Sequence, residues 1–563
     1  MTSRHGRRAA GLLAGACASV LLLSGVPAGA VTTNQSYWVP ITGKLTVRGH
    51  GFGHGHGMSQ YGAQGAALQG LTARQILGFY YPGTTLATAT GTIRVLITSD
   101  TSRDVVVGTT PGLTVRDRGN GKSYLLPSIG ATKWRLNVDA DGNSVVGYHT
   151  SAWHRWHPGG ASTLAGDGEF SASSPLTLYT PYGSAVYRGA LRAASPSPGS
   201  HDRDTVNVLS LDRYVQGVVP AEMPPSWEPA AVRAQAIAAR TYAAFNRAAY
   251  LHRYYQICDT SSCQVYRGVD GEDSRANDAV VATAHQVLSY QGKPAFTQFS
   301  ASDGGWTSAG SVPYLDAHQD PYDAFSGNPV HDWTATISTK VLLTHYPSLG
   351  SLNRVRVIER DGNGDWRGRV WDVVLDGTKS DITISGDTFR SIYGLRSSWF
   401  TIDPTPIQVQ YKALGGATGV LGSVTSAEYV VPSGAAQNFG NGRIYYSATT
   451  GAHEVYGPIL TGYLAVDGPA SDLALPMSGV VAKAGGQKSR FQGGMIYTNS
   501  ATGTFPVLGA IATAYRGYGG PSSDLGWPTS TNITTSTGQK VTFEHGTITW
   551  NKTTNKTTIN VTG

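Results

Sequence analysis

One acidic residue, Glu222, stands in a proline-rich stretch that leads into an alanine-rich segment. The prolines on both sides of it predict a turn, and the segment that follows predicts a helix. Arginines recur there every seven residues, at Arg233, Arg240 and Arg247, which places them in one stripe because seven residues make about two turns. A single carboxyl group held beside a basic stripe is suited to protonating a leaving group on an extended sugar chain.

Two interpretations of Glu222 follow from its neighbours. Apolar residues such as Val219 and Met223 would raise the pKa of the carboxyl group by desolvation and keep it protonated near neutral pH. Alternatively, Glu222 only caps the following helix, because an acid is favourable at a helix N-terminus. Ser226 could also cap that helix, and Pro229 suits its first turn. The residues alone leave catalysis and capping open.

A second stretch, residues 48–62, alternates glycine with histidine and ends in MSQYG. Metal binding is one interpretation, since histidine is a common ligand, but glycine on every side provides no rigid ligand geometry. We favour a glycine-rich backbone that approaches a sugar closely, with a purely structural turn as the remaining interpretation. The side chains expected to face the sugar cleft are His54, His56, Gln60 and Tyr61.

The N-terminus indicates export. Residues 1–30 combine a basic start, an apolar run and an Ala-x-Ala cleavage site, as in a secretory signal peptide. That run is too short to span a membrane, and no later stretch looks transmembrane. Removal of the leader takes away three arginines, so the net charge falls from +7 to +4. This mild charge suits an anionic cell wall, and the sequence contains no Lys/Arg cluster of the kind that binds nucleic acid. We therefore expect a secreted, cell-wall-associated protein.

Two cysteines, Cys258 and Cys263, remain in the exported chain within the sequence CDTSSC. In an oxidising compartment a local disulfide is the simplest interpretation. Zinc is the rival, although it prefers four nitrogen or sulfur ligands and only His252 lies close in sequence as a third. Free thiols are the remaining alternative. We therefore expect a disulfide and no resident metal or cofactor.

The pattern of elements divides the first two thirds of the chain. Residues 31–43 are expected to be an N-terminal tail, and residues 44–402 an α+β domain of mixed helices and strands. Helices are expected at residues 72–80 and 277–285. A strand and turn are expected at residues 206–219, leading into the alanine-rich helix.

Residues 403–406 form a linker, and residues 407–563 repeat with a period of 52 residues. An isoleucine recurs at Ile407, Ile459 and Ile511, and further apolar markers keep the same register. Each unit is expected to form a short helix or turn plus a β-hairpin. Because such a unit cannot bury its apolar face alone, we expect the three units to stack. They show no clustered acids, which indicates a binding or anchoring module.

Several long motifs resemble the SpoIID/LytB family of stage II sporulation protein D and amidase enhancers. Within residues 206–323 they are VNVLSLDRYVQGVVPAEMPPSW, AAVRAQAIAARTYA, CDTSSCQVYRG, FSASDGGWT and PYLDAHQDPYD. Residues 48–84, RGHGFGHGHGMSQYGAQGAALQGLTARQILGFYYPGT, resemble another signature of that family. The resemblance covers residues 44–402, and the 52-residue units resemble LGFP repeats of actinobacterial envelope proteins.

The order of these motifs departs from the family pattern. The glycine-histidine motif usually closes the domain, whereas here it opens it. The resemblance therefore implies a circularly permuted domain, which is tolerable when the termini lie close together. We expect residues 44–51 to lie beside residues 397–402 in the fold.

The resemblance implies a lytic transglycosylase, which cleaves peptidoglycan between N-acetylmuramic acid and N-acetylglucosamine without using water. Glu222 would be the catalytic acid. Arg240 matches the arginine of the AARTYA motif and would bind sugar hydroxyls or a lactyl carboxylate, with a salt-bridged arginine as the structural alternative. The S-x-S-x-G-G pattern would line the same cleft, with an ordinary turn as its alternative. The residues of that pattern are Ser300, Ser302, Gly304 and Gly305.

The partners implied by the resemblance belong to the cell envelope. The expected substrate is a peptidoglycan glycan strand already stripped of stem peptides, and the repeats would bind an envelope polymer. One alternative is a non-catalytic glycan-binding modifier of an N-acetylmuramoyl-L-alanine amidase, with Glu222 only structural. Another is a structural cell-wall protein whose repeats carry its role. Neither nucleic acid nor a membrane span is expected.

Overall fold

The structure is a computed structural model that describes residues 30–483 and 485–562. The signal peptide expected at residues 1–30 lies outside the described residues, apart from its last position. Helices and strands mix along the described chain, which confirms the α+β class. Among the helices described, none combines the length and the apolar character that crossing a membrane requires.

Helices and strands are numbered separately in chain order. The helices α1 to α10 are Gln60–Leu68, Ala73–Tyr80, Leu211–Glu222, Pro229–Ala249, Ser274–Ala282, Thr339–His345, Gly386–Tyr393, Pro406–Ala413, Gly457–Leu464 and Gly509–Gly517. The strands β1 to β25 are Val31–Trp38, Lys44–His50, Met58–Ser59, Thr85–Thr88, Thr92–Leu96, Val105–Gly108, Thr114–Asp117, Ser123–Leu125, Lys133–Val138, Ser144–His149, Trp153–Trp156, Gly168–Ser171, Leu176–Thr180, Gly183–Tyr187, Ala190–Ala194, Asp204–Ser210, Ile257–Cys258, Gln286–Tyr290, Lys293–Pro294, Phe299–Ser300, Asp332–Ser338, Leu352–Arg360, Val370–Gly377, Asp381–Ser385 and Phe400–Ile402.

Residues 31–402 pack around two hydrophobic cores, and the segments of the smaller core precede and follow those of the larger core along the chain. The larger core buries faces of α1 to α5 together with a seven-stranded sheet of order β17-β5-β16-β15-β12-β7-β8. A six-stranded sheet of order β11-β10-β9-β6-β13-β14 contributes to the same core. The smaller core lies between the sheets β1-β22-β23-β24 and β21-β2-β25.

The first and last strands of the expected domain are neighbours. β2 is the central strand of its sheet, hydrogen-bonded to β21 on one side and to β25 on the other. Val47 lies opposite Ile402 in the antiparallel ladder with β25. This confirms that residues 44–51 lie beside residues 397–402. The circular permutation that led to this expectation stays a prediction.

Residues 31–43 carry a strand instead of forming a free tail. β1 runs antiparallel to β22, and the ladder extends from Val31 opposite Arg360 to Trp38 opposite Arg354. Tyr37 is buried in the smaller core. The β-branched and aromatic residues of β1 favour an extended conformation, but only its distant partner strand makes the segment part of a sheet. The boundary at residue 43 therefore does not separate two structural parts.

Several expected helix positions can be compared with the structure. The helices expected at residues 72–80 and 277–285 are present as α2 and α5, although α5 begins three residues earlier. α4 begins after Glu228, whose side chain makes no capping hydrogen bond, and Pro229 occupies its first turn. Pro229 therefore takes its expected place, whereas Ser226 lies outside the helix and does not cap it.

α3 replaces most of the strand and turn expected at residues 206–219. The chain is extended only up to Ser210, whose hydroxyl accepts a hydrogen bond from the Arg213 N–H at the start of the helix. Pro220 lies inside α3 and follows β-branched Val219, so local helix propensity is poor there. Burial of the apolar face of α3 in the larger core overrides this local preference.

Each repeat unit combines one helix, α8, α9 or α10, with a four-stranded antiparallel sheet in sequence order. The strands β26 to β37 are Tyr429–Val431, Gly434–Phe439, Gly442–Ser447, Gly451–Tyr456, Val481–Lys483, Gly486–Phe491, Gly494–Asn499, Gly503–Leu508, Ile533–Thr535, Gly538–Phe543, Gly546–Asn551 and Lys556–Val561. The expected helix plus β-hairpin is confirmed. Each sheet consists of four strands that are joined by successive hairpins.

Neighbouring repeat units stack as expected. One core joins Tyr445 of the first unit to Ile459 and Phe491 of the second. Another joins Tyr497 of the second unit to Tyr515 of the third. Because each of these cores draws on two units, every unit depends on a neighbour to bury its apolar face.

Candidate active site

Glu222 is the last residue of α3. The partial charge at a helix C-terminus is negative, so an acid is unfavourable there. The N-cap position of α4 is held by Glu228 instead. The capping interpretation of Glu222 therefore does not fit the structure.

Glu222 faces a cavity of ≈ 220 Å³. The residues that line it are His54, Glu222, Tyr242, Ser261, Ser262, Cys263, Gln298 and Phe299. The cavity thus unites the acid with the glycine-histidine stretch, which lies far away in sequence. Among the described residues, Glu222 is the only carboxyl group in this lining. Hydroxyl, amide and imidazole groups beside two aromatic rings form a lining that suits a sugar.

Desolvation raises the pKa of Glu222 above its ordinary value, and a hydrogen bond from the Val265 N–H opposes this shift. That N–H donates to Oε1 at 2.8 Å. Because an N–H donor occupies Oε1, the proton of the acid form resides on Oε2. Glu222 therefore combines a fixed carboxyl group with a tendency to stay protonated at higher pH than an exposed glutamate.

His54 is a neutral partner in the cavity. Burial, followed by the charge of His56 and nearby arginines, lowers the pKa of His54 to about 3. Its Nδ1 accepts a hydrogen bond from the His56 backbone N–H at 2.9 Å. The single ring proton therefore lies on Nε2, which makes His54 a fixed hydrogen-bond donor at neutral pH.

The other residues expected to face the cleft, His56, Gln60 and Tyr61, are absent from the cavity lining in the described structure. His56 stacks on His54 with ring centroids 4.9 Å apart, and its Nδ1 donates to the Ser308 carbonyl at 3.1 Å. Gln60 is buried in α1, and Tyr61 packs against other aromatic rings. His56 thus positions His54. The expectation that Gln60 faces the cleft is wrong, because the first turn of α1 packs into the protein.

Arg240 is fully buried and does not reach the cavity. Its Nε donates to Asp212 Oδ1 at 2.7 Å, and its terminal nitrogens donate to carbonyls of α4, α5 and β18. The sugar-binding expectation is therefore wrong, and the ion-paired alternative fits. Tyr242 lines the cavity instead, because two residues along a helix turn the side chain by about 200°. Arg233 and Arg247 do not line it either.

The S-x-S-x-G-G segment turns its polar groups into the protein. In the described structure the cavity lining omits the four residues expected there, Ser300, Ser302, Gly304 and Gly305. The Ser302 hydroxyl donates to the buried carboxylate of Asp323 at 2.8 Å, and the Gly304 N–H donates to it at 3.2 Å. The Gly305 N–H donates to Asp303 at 2.8 Å. Buried carboxylates require such donors, so the structural turn is the interpretation that fits.

Cys258 and Cys263 form the expected disulfide. Sulfur atoms joined in a disulfide offer no thiolate, so the zinc interpretation does not fit this pair. The bridge closes a loop from which Ser261, Ser262 and Cys263 line the cavity. Val265, the hydrogen-bond donor to Glu222, lies two residues beyond Cys263. The cysteine pair is therefore part of the wall of the candidate site.

Sequence reasoning missed five of the lining residues, which are Tyr242, Ser261, Ser262, Gln298 and Phe299. All of them lie next to residues that were singled out. Tyr242 shares a motif with Arg240, the two serines stand between the cysteines, and the last two precede Ser300. The motifs thus located the right segments, but the direction of each side chain depended on packing.

Family models match two parts of the chain. Residues 199–290 match the model described as SpoIID, stage II sporulation protein, and residues 421–471 and 473–523 match the LGFP repeat. The first match includes Glu222 and the cysteine loop, but not His54. The chain therefore contains a region that matches SpoIID, followed by LGFP repeats, which confirms both resemblances over the matched residues.

Curated relatives are similar to part of the chain. An amidase enhancer of Bacillus subtilis (strain 168) is 38% identical over 136 residues, 23% of this chain and 18% of the relative. Stage II sporulation protein D of Bacillus amyloliquefaciens is 29% identical over 258 residues, 41% of this chain and 71% of the relative. A Brachyspira hyodysenteriae protein is 38% identical over 117 residues, 20% of this chain and 32% of the relative. The chain thus spans less than a third of the first and the last of these relatives.

Proposed function

We propose that the protein is an exported peptidoglycan lytic transglycosylase, held at the cell envelope by its LGFP repeats. The SpoIID and LGFP matches and the names of the relatives support a role at the cell wall. The observation that carries the proposal is Glu222, a lone carboxyl group with a raised pKa in a sugar-sized cavity. Most glycosidases need two carboxyl groups, whereas one suffices when the C6 hydroxyl of the sugar is the nucleophile.

Glu222 acts twice in this mechanism. Its Oε2 first donates a proton to the glycosidic oxygen while the bond from that oxygen to C1 of N-acetylmuramic acid breaks. The C6 hydroxyl of the same sugar then bonds to C1, and its proton passes to the carboxylate, which restores the acid. One product carries a 4-hydroxyl N-acetylglucosamine end and the other a 1,6-anhydro end. The Val265 N–H holds Oε1 in place throughout.

The other lining groups hold the sugar in this proposal. His54 presents its Nε2 proton, and the hydroxyls of Ser261 and Ser262 and the amide of Gln298 both donate and accept hydrogen bonds. These groups suit the hydroxyl and N-acetyl substituents of the substrate. A cavity of this size fits a bare sugar, which supports glycan strands without stem peptides as the substrate.

Replacing His54 with alanine is expected to lower kcat/KM for glycan cleavage about tenfold, because one hydrogen bond to the sugar is lost. The pH dependence of kcat/KM between roughly pH 5 and pH 8 should stay the same, since His54 is already neutral above its lowered pKa. Rates measured across that range check both statements. His149→Ala, in the six-stranded sheet, is the control, and loss of an ionisation step in His54→Ala would contradict the assignment.

Serine at both cysteine positions, Cys258→Ser with Cys263→Ser, is expected to raise KM while leaving the pH dependence of cleavage unchanged. The loop loses its bridge and no longer fixes the cavity wall, whereas Val265 stays anchored between the buried residues Gln264 and Tyr266. For so short a loop, the free energy of unfolding should fall by about 2 kcal/mol. Michaelis–Menten kinetics and urea unfolding measure the two effects, and a shifted pH optimum would show that the bridge also sets the pKa of Glu222.

An amidase modifier is the second candidate function, and the amidase enhancer among the relatives favours it. In that case the cavity would hold a glycan strand while a separate N-acetylmuramoyl-L-alanine amidase cleaves the stem peptide. Glu222 would then bind sugar hydroxyls without transferring a proton. A purely structural wall protein would use its repeats alone and make no use of the cavity.

The repeats and the motif order complete the proposal. Stacked LGFP units would bind an envelope polymer and keep the catalytic domain close to its substrate. The pairing of β2 with β25 supports a circularly permuted SpoIID domain, because joining the usual ends would require them to lie together. In this proposal the permutation leaves His54 and Glu222 on one cavity, so activity does not depend on motif order.

Mass spectrometry of purified, peptide-free glycan strands tests the proposal. Incubation with the exported protein should yield fragments with 1,6-anhydro ends. A parallel incubation adds an N-acetylmuramoyl-L-alanine amidase and intact peptidoglycan, and stem-peptide release is measured. Intact strands together with faster peptide release would favour the amidase modifier over the lytic transglycosylase.

A further inference from the structure

The cavity at Glu222 is too small for a polymer. Its volume of ≈ 220 Å³ lies below the range of about 300–1,000 Å³ typical of pockets for drug-sized ligands, so it accommodates about one sugar unit. A glycan strand bound there must continue over the adjoining surface. The surface that receives the next sugars would decide how strongly long strands bind.

Three aromatic side chains from separate segments meet outside the cavity lining. The ring of Tyr61 lies 4.8 Å from that of Trp227 and 6.3 Å from that of Phe325, measured between centroids. The ring planes of Trp227 and Phe325 are tilted by 55° and 40° to that of Tyr61, and we call this cluster of three side chains the aromatic trough. All three side chains are half-buried and keep part of their surface in solvent.

Two observations place the aromatic trough near the cavity, a backbone hydrogen bond and a short sequence separation. The Tyr61 N–H donates to the Ala301 carbonyl at 2.9 Å, and Ala301 lies two residues beyond Phe299 of the cavity wall. Trp227 lies five residues beyond Glu222, which limits the separation of their Cα atoms to about 17 Å. The aromatic trough is therefore within reach of a short glycan strand that occupies the cavity.

The polar edges of the trough are open to a ligand. Within the described part of the chain, neither the Tyr61 hydroxyl nor the Trp227 indole N–H is hydrogen-bonded, and neither is sealed from solvent. Tyrosine and tryptophan pair an apolar ring with a polar group at its edge. A pyranose ring has the matching character, an apolar C–H face bordered by hydroxyl groups.

We propose that the aromatic trough is a second sugar subsite, where a further unit of the strand held at Glu222 packs its apolar face against Trp227. The Tyr61 hydroxyl and the indole N–H bond to the hydroxyl groups of that unit, and Phe325 closes the far wall. This proposal rests on the proposed function in taking a glycan strand as the ligand. It adds that strand length, beyond the sugar at the cleavage site, determines affinity.

Calorimetric titration of glycan oligosaccharides tests this proposal in the full exported chain carrying Glu222→Gln, which prevents turnover. Adding Trp227→Ala is expected to weaken binding of an octasaccharide about tenfold and to leave a disaccharide unaffected. Trp227→Phe should restore most of the affinity because it returns an aromatic ring. Trp153→Ala, which removes an exposed tryptophan from the six-stranded sheet, is the control and should change neither affinity.

Equal octasaccharide affinities with and without Trp227→Ala, in a protein that keeps its thermal transition, would overturn the subsite. If Trp227→Ala does not fold, Phe325→Ala replaces it with the same expected loss and the same overturning result. The calorimetric comparison needs no turnover, so it judges the subsite independently. Failure of the wild-type protein to form anhydro ends would instead count against the proposed function.

Discussion

The Glu222→Gln variant is expected to lose about a thousandfold in the rate of glycan cleavage while keeping its fold and its affinity for glycan strands. Glutamine preserves the shape of the side chain, and its carbonyl can still accept the hydrogen bond from the Val265 N–H. It cannot protonate the glycosidic oxygen or take the proton of the C6 hydroxyl. Chromatographic counting of anhydro ends gives the rate, and calorimetry gives the affinity.

The control for this variant is Glu228→Gln. Glu228 is an exposed acid just ahead of α4 and makes no capping hydrogen bond, so its replacement should leave the cleavage rate unchanged. A Glu222→Gln protein that retains a tenth or more of the wild-type rate would remove the carboxyl group from the mechanism. Loss of cleavage in both variants would point to a general effect of charge on the site.

The Arg240→Met variant is expected to lower the free energy of unfolding by about 3–5 kcal/mol. The guanidinium group is buried, paired with Asp212 at 2.7 Å, and bonded to three backbone carbonyls. Methionine fills much of the same volume but leaves those acceptors without their donor. The shift of the urea unfolding midpoint measures the loss.

Arg233→Met is the matched control, since Arg233 is exposed on the same helix. Its effect on the free energy of unfolding should stay within about 0.5 kcal/mol. The folded fraction of Arg240→Met should bind glycan with wild-type affinity, because Arg240 does not reach the cavity. Unchanged stability combined with weaker glycan binding would restore the sugar-binding role that the sequence suggested.

Repeated or local patterns were predictable from the sequence because they do not depend on distant partners. The 52-residue period predicted stacked units, and the cores shared by Tyr445 with Ile459 and by Tyr497 with Tyr515 show the same arrangement. The helix expected at residues 72–80 likewise lies where α2 is found. A repeat can be recognised from the sequence itself, and a local helix pattern depends only on neighbouring residues.

Features that depend on packing were less predictable. The arginine stripe was placed on one face of α4, but periodicity does not tell which face is buried, and Arg240 proved to be internal. α3 was missed because Pro220 and its β-branched neighbours oppose a helix locally. His54 and Glu222 line the same cavity because the chain path brings residues 48–62 back to α3. No local sequence pattern specifies that path.

Cleavage of glycan strands in water enriched in oxygen-18 tests the central claim most directly. If Glu222 uses the C6 hydroxyl as the nucleophile, the wild-type protein should release 1,6-anhydro ends that contain no oxygen-18, and Glu222→Gln should release almost none. Mass spectrometry reads both results from one digest. New ends that carry oxygen-18 would show that water attacks the sugar, and the protein would then be a hydrolase instead of a lytic transglycosylase.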